Sequence, residues 1–307
     1  MVNEKITLNL EPLKKYPMIF WNNDIEIQFF TNALKSFASP EQLFYKLESG
    51  YFAYVPKGLD AEGQTLQSRN SLIGQFTEKW CKDLFEPIAK ELGLFAINGV
   101  VCDEIGLTKR SSADLALCTT NQLFQKPENI KLIFEIKMSV VSNYEYIFPD
   151  VIKFVGDYKQ HKGNPALLRS DSMLKAIGKS INIRVSGIES STIPIVVLGN
   201  SPIAESYIDK VDFLKTAGVI QGFWSLNPFP TTTNFIKETP KKGFQTINNY
   251  EILLSNCYEL VNTDLNYFSS MIPKTQLGKI IGIANQESTD VAKAEKFLTL
   301  IRGQNGN

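Results

Sequence analysis

The sequence predicts an α/β fold in which helices flank a mixed β-sheet. Three observations support this prediction: a long amphipathic segment at 68–92, three apolar runs between 94 and 140, and alternating helical and strand patterns from 172 to 228. A group of strands followed by alternating helices and strands is typical of a sheet that has both antiparallel and parallel pairs.

The composition is that of a folded globular chain. Of its 307 residues, 43% are apolar and 21% are charged, which excludes a disordered protein, a collagen-like fibre and a small disulfide scaffold. The 32 Lys and Arg residues balance the 32 Asp and Glu residues, so the formal net charge is zero. Because nucleic-acid-binding proteins are usually basic, an anionic partner of this chain must bind to a local patch.

The N-terminal segment 1–20 mixes charges with short apolar runs, and no stretch is long and apolar enough for a transmembrane helix. We therefore expect a cytoplasmic protein with no signal peptide and no membrane partner. The only histidine, His161, lies in a polar stretch and is expected in a solvated loop. The cysteines lie far apart in apolar surroundings and are expected to be buried free thiols: Cys81, Cys102, Cys118 and Cys257.

The first elements follow from hydrophobic spacing. Segment 1–67 shows no strong period and no repeat, and we interpret it as an elaboration that precedes the core. Residues 68–92 carry apolar side chains at helical spacing and end at Gly93, which predicts a long helix. Apolar and β-branched residues then predict three strands, at 94–105, 112–118 and 129–140.

The remaining elements follow a polar region at 143–170, for which no helix or strand is predicted. The pattern then predicts a helix at 172–184, a strand at 191–199, a helix at 205–217 and a strand at 218–228. The tail has two helical candidates, 250–271 and 288–301, separated by a spacer at 273–282. We expect a core at 68–228 and a mostly helical C-terminal elaboration at 229–307, within one compact domain.

The third predicted strand carries the residues that indicate chemistry. Strand alternation places Glu135 and Lys137 on the same face, where a carboxylate and an ammonium are costly unless they pair or bind a ligand. Asp114 lies in the preceding apolar strand, and it converges with Glu135 if the two strands are neighbours. Two carboxylates can hold a hard divalent cation, which offsets phosphate charge and lowers the pKa of a bound water. Lys137 can orient that water, so this set suits phosphodiester hydrolysis without histidine.

Asp114 followed by Glu135-Ile136-Lys137 resembles the signature of the PD-(D/E)xK nucleases, and within them the type II restriction endonucleases. Ala113 replaces the usual proline, and the order of elements from 68 to 228 is similar to the family core. The resemblance implies a restriction-endonuclease-like fold. It also implies Mg²⁺ bound by Asp114, Glu135 and the backbone carbonyl of Ile136, with Lys137 acting on the water.

The same resemblance implies a Mg²⁺-dependent, sequence-specific endonuclease for double-stranded DNA that works as a homodimer in the prokaryotic cytoplasm. A cognate DNA methyltransferase is expected in the same system. Two alternatives stay open: a repair or resolving nuclease on the same fold, and a non-catalytic α/β DNA-binding protein in which Glu135 and Lys137 merely form a salt bridge. Asp157-Tyr158-Lys159 is the only other acid-x-lysine triplet, and it lies in the polar region.

Glu78, on the long helix before the first strand, is a candidate auxiliary metal ligand by the same resemblance. Helical geometry places it roughly opposite the apolar stripe of that helix, so a solvated helix face is the alternative.

A basic patch is the predicted DNA contact. The window 152–187 holds seven Lys and Arg residues against two Asp residues, and a solvated basic face is the alternative. A smaller basic turn directly precedes Asp114. The candidate contacts in the window are Lys159, His161, Lys162, Arg169, Ser170, Lys175 and Lys179, and those in the turn are Lys109, Arg110 and Ser112.

Overall fold

The computed structural model describes residues 20–36, 38–59 and 66–303. Its helices are α1 (Asn23–Ser36), α2 (Pro40–Leu43), α3 (Gln67–Glu91), α4 (Ser170–Ser186), α5 (Ile208–Thr216), α6 (Tyr250–Asn262), α7 (Lys274–Ala284) and α8 (Asp290–Gly303). Its strands are β1 (Tyr45–Leu47), β2 (Gly50–Phe52), β3 (Phe95–Val100), β4 (Ala113–Cys118), β5 (Ile130–Lys137), β6 (Asn143–Ile147), β7 (Val151–Gly156), β8 (Ile195–Gly199), β9 (Gly222–Ser225) and β10 (Phe244–Thr246).

Six strands form a mixed sheet in the order β10-β9-β8-β5-β4-β3. The three strands of this sheet that come first in the sequence, β3, β4 and β5, pair antiparallel. From β5 onward the neighbours β8, β9 and β10 are added in parallel. The predicted α/β fold with a mixed sheet flanked by helices is therefore confirmed.

The sheet buries apolar side chains on both faces. Phe134 and Ile136 of β5 point into one cluster, which includes Phe85 of α3. Ile133, on the opposite face, packs in a second cluster with Ile183 of α4. Because side chains alternate along a strand, Glu135 shares the face of Ile133 and points toward the side that α4 covers.

A second sheet of four strands, in the order β1-β2-β6-β7, was not predicted. Its hairpin β6–β7 occupies part of the 143–170 region that we interpreted as merely polar. Tyr144 and Tyr146 are buried from the same face of β6, and Glu145 between them is polar. This alternation is typical of a strand, but the segment was interpreted as a loop because it is rich in tyrosine, asparagine and glutamate.

The terminal regions differ from the prediction in three places. The predicted helix 250–271 ends at Asn262, where Thr263 turns extended and its Oγ1 donates to the carbonyl of Glu259 at 2.6 Å. The predicted spacer 273–282 is instead part of α7, because Leu277, Ile280 and Ala284 have helical spacing that outweighs its glycines. Helix α1 and strand β10 had no predicted counterpart.

The chain divides into two compact units, Met1–Leu265 with both sheets and α1 to α6, and Asn266–Asn307 with α7 and α8. The boundary falls inside the predicted C-terminal elaboration, and the three predicted segments stay a prediction. All four cysteines are buried free thiols, as predicted. Among the described residues, no helix combines the length and the apolar character needed to cross a membrane.

Candidate active site

Asp114 and Glu135 lie side by side on neighbouring antiparallel strands. Leu115 of β4 pairs with Phe134 of β5. Because the two strands are antiparallel, Asp114, which precedes Leu115, lies opposite Glu135, which follows Phe134. The amide of Ile136 donates a hydrogen bond to Asp114 Oδ2 at 2.7 Å. The structure thus brings the two predicted carboxylates together near the C-terminal end of β5.

Lys137 sits at the centre of the predicted ligand set. Its Nζ lies 2.5 Å from Glu135 Oε1, 3.8 Å from Asp114 Oδ2 and 3.2 Å from the carbonyl oxygen of Ile136. All three oxygens that the family resemblance implies as metal ligands therefore surround a single positive charge.

Lys179 of α4 contacts the remaining carboxylate oxygens. Its Nζ is 3.0 Å from Asp114 Oδ1 and 2.6 Å from Glu135 Oε2. The sequence placed Lys179 with Lys175 on one DNA-facing helix surface, and the structure separates them. The Lys175 side chain is 75% exposed, whereas that of Lys179 is 18% exposed and turned toward the sheet. The spacing of residues along a helix predicts their relative positions on its surface, but it does not predict which turn of the helix packs against the sheet.

Glu78 belongs to the same electrostatic cluster. It is half-buried on α3, and burial raises the pKa of its carboxyl, as does the charge of Asp114, while Lys179 and Lys137 act in the opposite direction. The side-chain amide of Asn98 on β3 donates to the carbonyl of Glu78 at 3.0 Å and fixes this turn of the helix at the sheet. A fully solvated helix face therefore does not describe Glu78.

The burial of Glu135 has an electrostatic cost that the lysines offset. Glu135 is 4% exposed, and its pKa is raised first by burial and then by the neighbouring charge of Asp114. Burial alone would lower the pKa of Lys179, but the attraction of Glu135 and Asp114 outweighs it and the pKa is raised. The cluster is held together by charges of opposite sign from three elements, β4, β5 and α4.

The donor set fits a hard divalent cation. Carboxylate and backbone carbonyl oxygens are the ligands of Mg²⁺ in proteins, and here they converge on the Lys137 ammonium. Within the described part of the chain, no three His, Cys, Asp or Glu side chains are arranged as a ready-made metal site. The third oxygen comes from the main chain, and ammonium groups stand among the carboxylates.

His161 is not in a solvated loop, and that expectation is wrong. It is 2% exposed, its Nε2 lies 3.0 Å from the carbonyl oxygen of Val141, and its ring stacks on Tyr54 with centroids 4.0 Å apart. Burial lowers the pKa of the imidazole and favours its neutral form. Because its ring is enclosed, His161 is also not placed to contact DNA, and it instead joins the segment after β5 to the segment after β2.

The other predicted contacts are distributed unevenly. Arg169 forms a bidentate ion pair with Asp171, in which Nε donates to Oδ1 at 2.9 Å and Nη2 donates to Oδ2 at 2.7 Å. Lys159 donates to Thr233 Oγ1 at 2.7 Å and to the carbonyl of Asn234 at 2.6 Å. Four other candidates are exposed, and the fifth, Ser112, is half-buried: Lys162, Ser170, Lys109, Arg110 and Ser112. The turn 109–112 leads directly into β4 and lies at the end that carries Asp114.

Polar groups behind the catalytic candidates were missed by sequence reasoning. The Asn200 amide donates to the carbonyl of Ser139 at 2.7 Å, and the Ser139 amide donates back to Asn200 Oδ1 at 3.2 Å. This pair clamps the segments that leave β5 and β8. A polar residue directly after the all-apolar run Ile195–Gly199 is the signal that marks the carboxyl edge of the sheet.

Two cavities lie at opposite edges of the six-stranded sheet. One of about 760 Å³ lies between the end of β7 with the residues after it and the segment that follows β9. It is lined by Phe229, Gln160 and Asn234 among others, and no residue of the charged cluster lines it. A larger one of about 1000 Å³ lies where β5 and β8 begin, and no residue of the charged cluster lines it. Comparison of the chain with protein-family models, curated proteins and solved structures found no match.

Proposed function

We propose that this chain is a Mg²⁺-dependent, sequence-specific endonuclease that hydrolyses phosphodiester bonds in double-stranded DNA. One observation carries the proposal. The carboxylates of Asp114 and Glu135 and the carbonyl of Ile136 converge on Lys137 at the end of β5. This combination of oxygen donors and an amine is what metal-assisted hydrolysis of a phosphodiester needs when no histidine is at hand.

Each residue has a role that follows from its position. Asp114, Glu135 and the Ile136 carbonyl would hold the ion, and Glu78 is the proposed auxiliary acid. Mg²⁺ supplies Lewis-acid stabilisation of the phosphate charge and a more acidic water. Lys137 would orient the attacking water, because its ammonium lies beside the oxygens that would hold the ion.

DNA contacts are proposed at the same edge of the sheet. The exposed Lys109 and Arg110 precede Asp114 and are suited to phosphate contacts. The 760 Å³ cavity adds the exposed ring of Phe229 and the exposed side-chain amides of Gln160 and Asn234, and such amides bind base edges. From the family resemblance we further propose a homodimer on a two-fold symmetric site, with a cognate methyltransferase in a prokaryotic cytoplasm.

The charged cluster favours a catalytic site over a structural salt bridge. Glu135 and Lys137 do pair, but a structural pair needs no third and fourth charge. Asp114 and Lys179 come from two other elements and are brought to the same place at a desolvation cost. Concentrated charge of this kind inside an apolar fold is typical of a site that binds a ligand.

The experiment compares DNA substrates. The pure protein is incubated with plasmid, phage and branched DNA, with Mg²⁺ and with a chelator. Discrete fragments from linear and plasmid DNA are expected for a restriction enzyme, whereas selective cutting of the branched DNA would replace it by the repair or resolving nuclease. If no DNA is cut in Mg²⁺ but duplexes are still bound, the non-catalytic alternative holds.

A further inference from the structure

The carboxylate oxygens of the cluster are divided between two cationic positions. Asp114 Oδ2 and Glu135 Oε1 face Lys137, together with the carbonyl oxygen of Ile136. The other oxygen of each carboxylate, Asp114 Oδ1 and Glu135 Oε2, faces Lys179. Each position is thus bordered by one oxygen from each acid, so both carboxylates bridge the two.

The two lysines are attached differently. Lys137 belongs to the same strand as Glu135, and its ammonium lies among the implied metal ligands. Lys179 comes from the middle of α4, which is fixed to the sheet by Ile183 in the second apolar cluster and by Met173 in a third. Both ammonium groups contact both acids, but that of Lys179 reaches them from the helix and not from the strand that carries Glu135.

Phosphodiester-cleaving sites that use two metal ions place them on bridging carboxylates, about 3.5–4 Å apart. A second divalent ion in this chain would need Asp114 Oδ1 and Glu135 Oε2, and the Lys179 ammonium already binds both. The proposed function moves Lys137 from the first position to the attacking water, but it gives Lys179 no such role, so a second ion would meet the Lys179 charge at contact distance and be strongly repelled.

We propose that Lys179 permanently occupies the second cation position, so that the chain binds one divalent ion and uses an ammonium in place of the other. The inference rests on the proposed function, because it assigns the metal content of that same site. Lys179 is then a positioning residue that acts through Asp114 and Glu135. Its ammonium reduces the repulsion between the two carboxylates and leaves their other oxygens to the single ion.

Metal stoichiometry tests this directly, without any DNA. Mn²⁺ binding to the full chain is counted by calorimetry and by electron paramagnetic resonance, which detects magnetic coupling between two ions on shared carboxylates. We expect one Mn²⁺ per chain for wild type, and two coupled ions per chain for Lys179→Ala. Lys179→Arg keeps the charge and is expected to bind one ion. Lys175→Ala, four residues earlier on an exposed turn of α4, is the matched control and should also bind one.

Each outcome decides the matter. Two ions in wild type, or a single ion in Lys179→Ala, would overturn the role of Lys179 while leaving a metal-dependent nuclease intact. No ion in any variant would remove both the inference and the metal-dependent function. If Lys179→Ala does not fold, Lys179→Gln keeps a polar group without the charge, and it is expected to bind two ions as well.

Discussion

At the scale of single residues, Glu26 shows how a buried acid fixes the segment that leaves β5. Glu26 is 1% exposed, and its carboxyl oxygens accept hydrogen bonds from Trp21 Nε1 at 2.8 Å and from the amides of Val141 and Ser142 at 2.7 and 3.0 Å. Those amides follow Lys137 by only a few residues. The acid on α1 therefore anchors the chain where it turns from the candidate site into the second sheet.

Glu26 also predicts a pH dependence of stability. Burial raises its pKa from 4.5 to about 7, although the three N–H donors favour the ionised form. The folded protein thus holds this proton more tightly than the unfolded chain. The stabilisation is complete below pH 4.5 and is lost as the pH rises to about 7, with a total of about 3 kcal/mol.

Chemical denaturation from pH 4 to 8 checks this prediction. The free energy of unfolding of wild type is expected to fall relative to that of Glu26→Gln as the pH rises across that window. The comparison also cancels His161, whose lowered pKa acts in the opposite sense by removing stability as the pH falls below about 6.5. Parallel pH profiles for the two proteins would show that Glu26 does not titrate in the fold.

At the scale of elements, the long helix and the central strands could be predicted because each has its own period. The 3.6-residue period of α3 and the apolar runs of β3, β4, β5 and β8 depend on local sequence alone. The candidate site was predictable for Asp114 and Glu135, since strand alternation and adjacency determine it. The sequence did not indicate that Lys179 lies against these two acids, because the orientation of α4 on the sheet depends on packing between elements distant in sequence.

Strand β10 and helix α5 meet at Gly243, where a side chain has no room. A Cβ there would lie 2.4 Å from the carbonyl carbon of Val211 and 2.5 Å from its oxygen, and backbone cannot yield as a flexible side chain can. The Gly243 amide and carbonyl also bind Asp212 Oδ1 and the Phe223 amide, both at 2.8 Å. Close backbone approach therefore requires glycine.

Gly243→Ala is expected to lower the free energy of unfolding by about 1–3 kcal/mol, since it overpacks this contact. Gly178→Ala is the control, because a Cβ at that position in α4 meets nothing within 4 Å. Its expected effect is a gain of up to about 1 kcal/mol from helix propensity. Urea unfolding of both variants measures the contrast, and equal stabilities would contradict the described packing of β10 on α5.

At the scale of the whole molecule, the neutral charge balance and the proposed DNA substrate are compatible because the basic residues are unequally available. Two of the seven basic residues in 152–187 are largely buried, and a third is held in a surface ion pair. Arg169 pairs with Asp171, Lys179 joins the acidic cluster, and Arg184, 6% exposed, donates to the carbonyls of Ser190 and Ile193. The local excess of positive charge that the sequence suggested is smaller at the surface.

Non-specific DNA binding should therefore depend weakly on salt. With about four exposed basic groups in this window, and with Lys109 and Arg110 in the turn before β4, the slope of log affinity against log salt is expected to be no steeper than about −5. Fluorescence anisotropy with a random-sequence duplex in the absence of Mg²⁺, at several KCl concentrations, measures the slope. A slope near −8 would mean that a much larger basic surface contacts the DNA.

The most direct measurement of the central claim is the rate of plasmid cleavage in Mg²⁺. Asp114→Asn and Lys137→Met are each expected to cut at least about 100-fold more slowly than wild type, since they remove a ligand of the ion and the group that orients the water. Asp103→Asn and Lys90→Met alter exposed residues of the same kinds outside the proposed site and DNA contacts, and they should cut at the wild-type rate, whereas a chelator should stop all cleavage. Wild-type rates in the two site variants, or cleavage that continues in the chelator, would contradict the account.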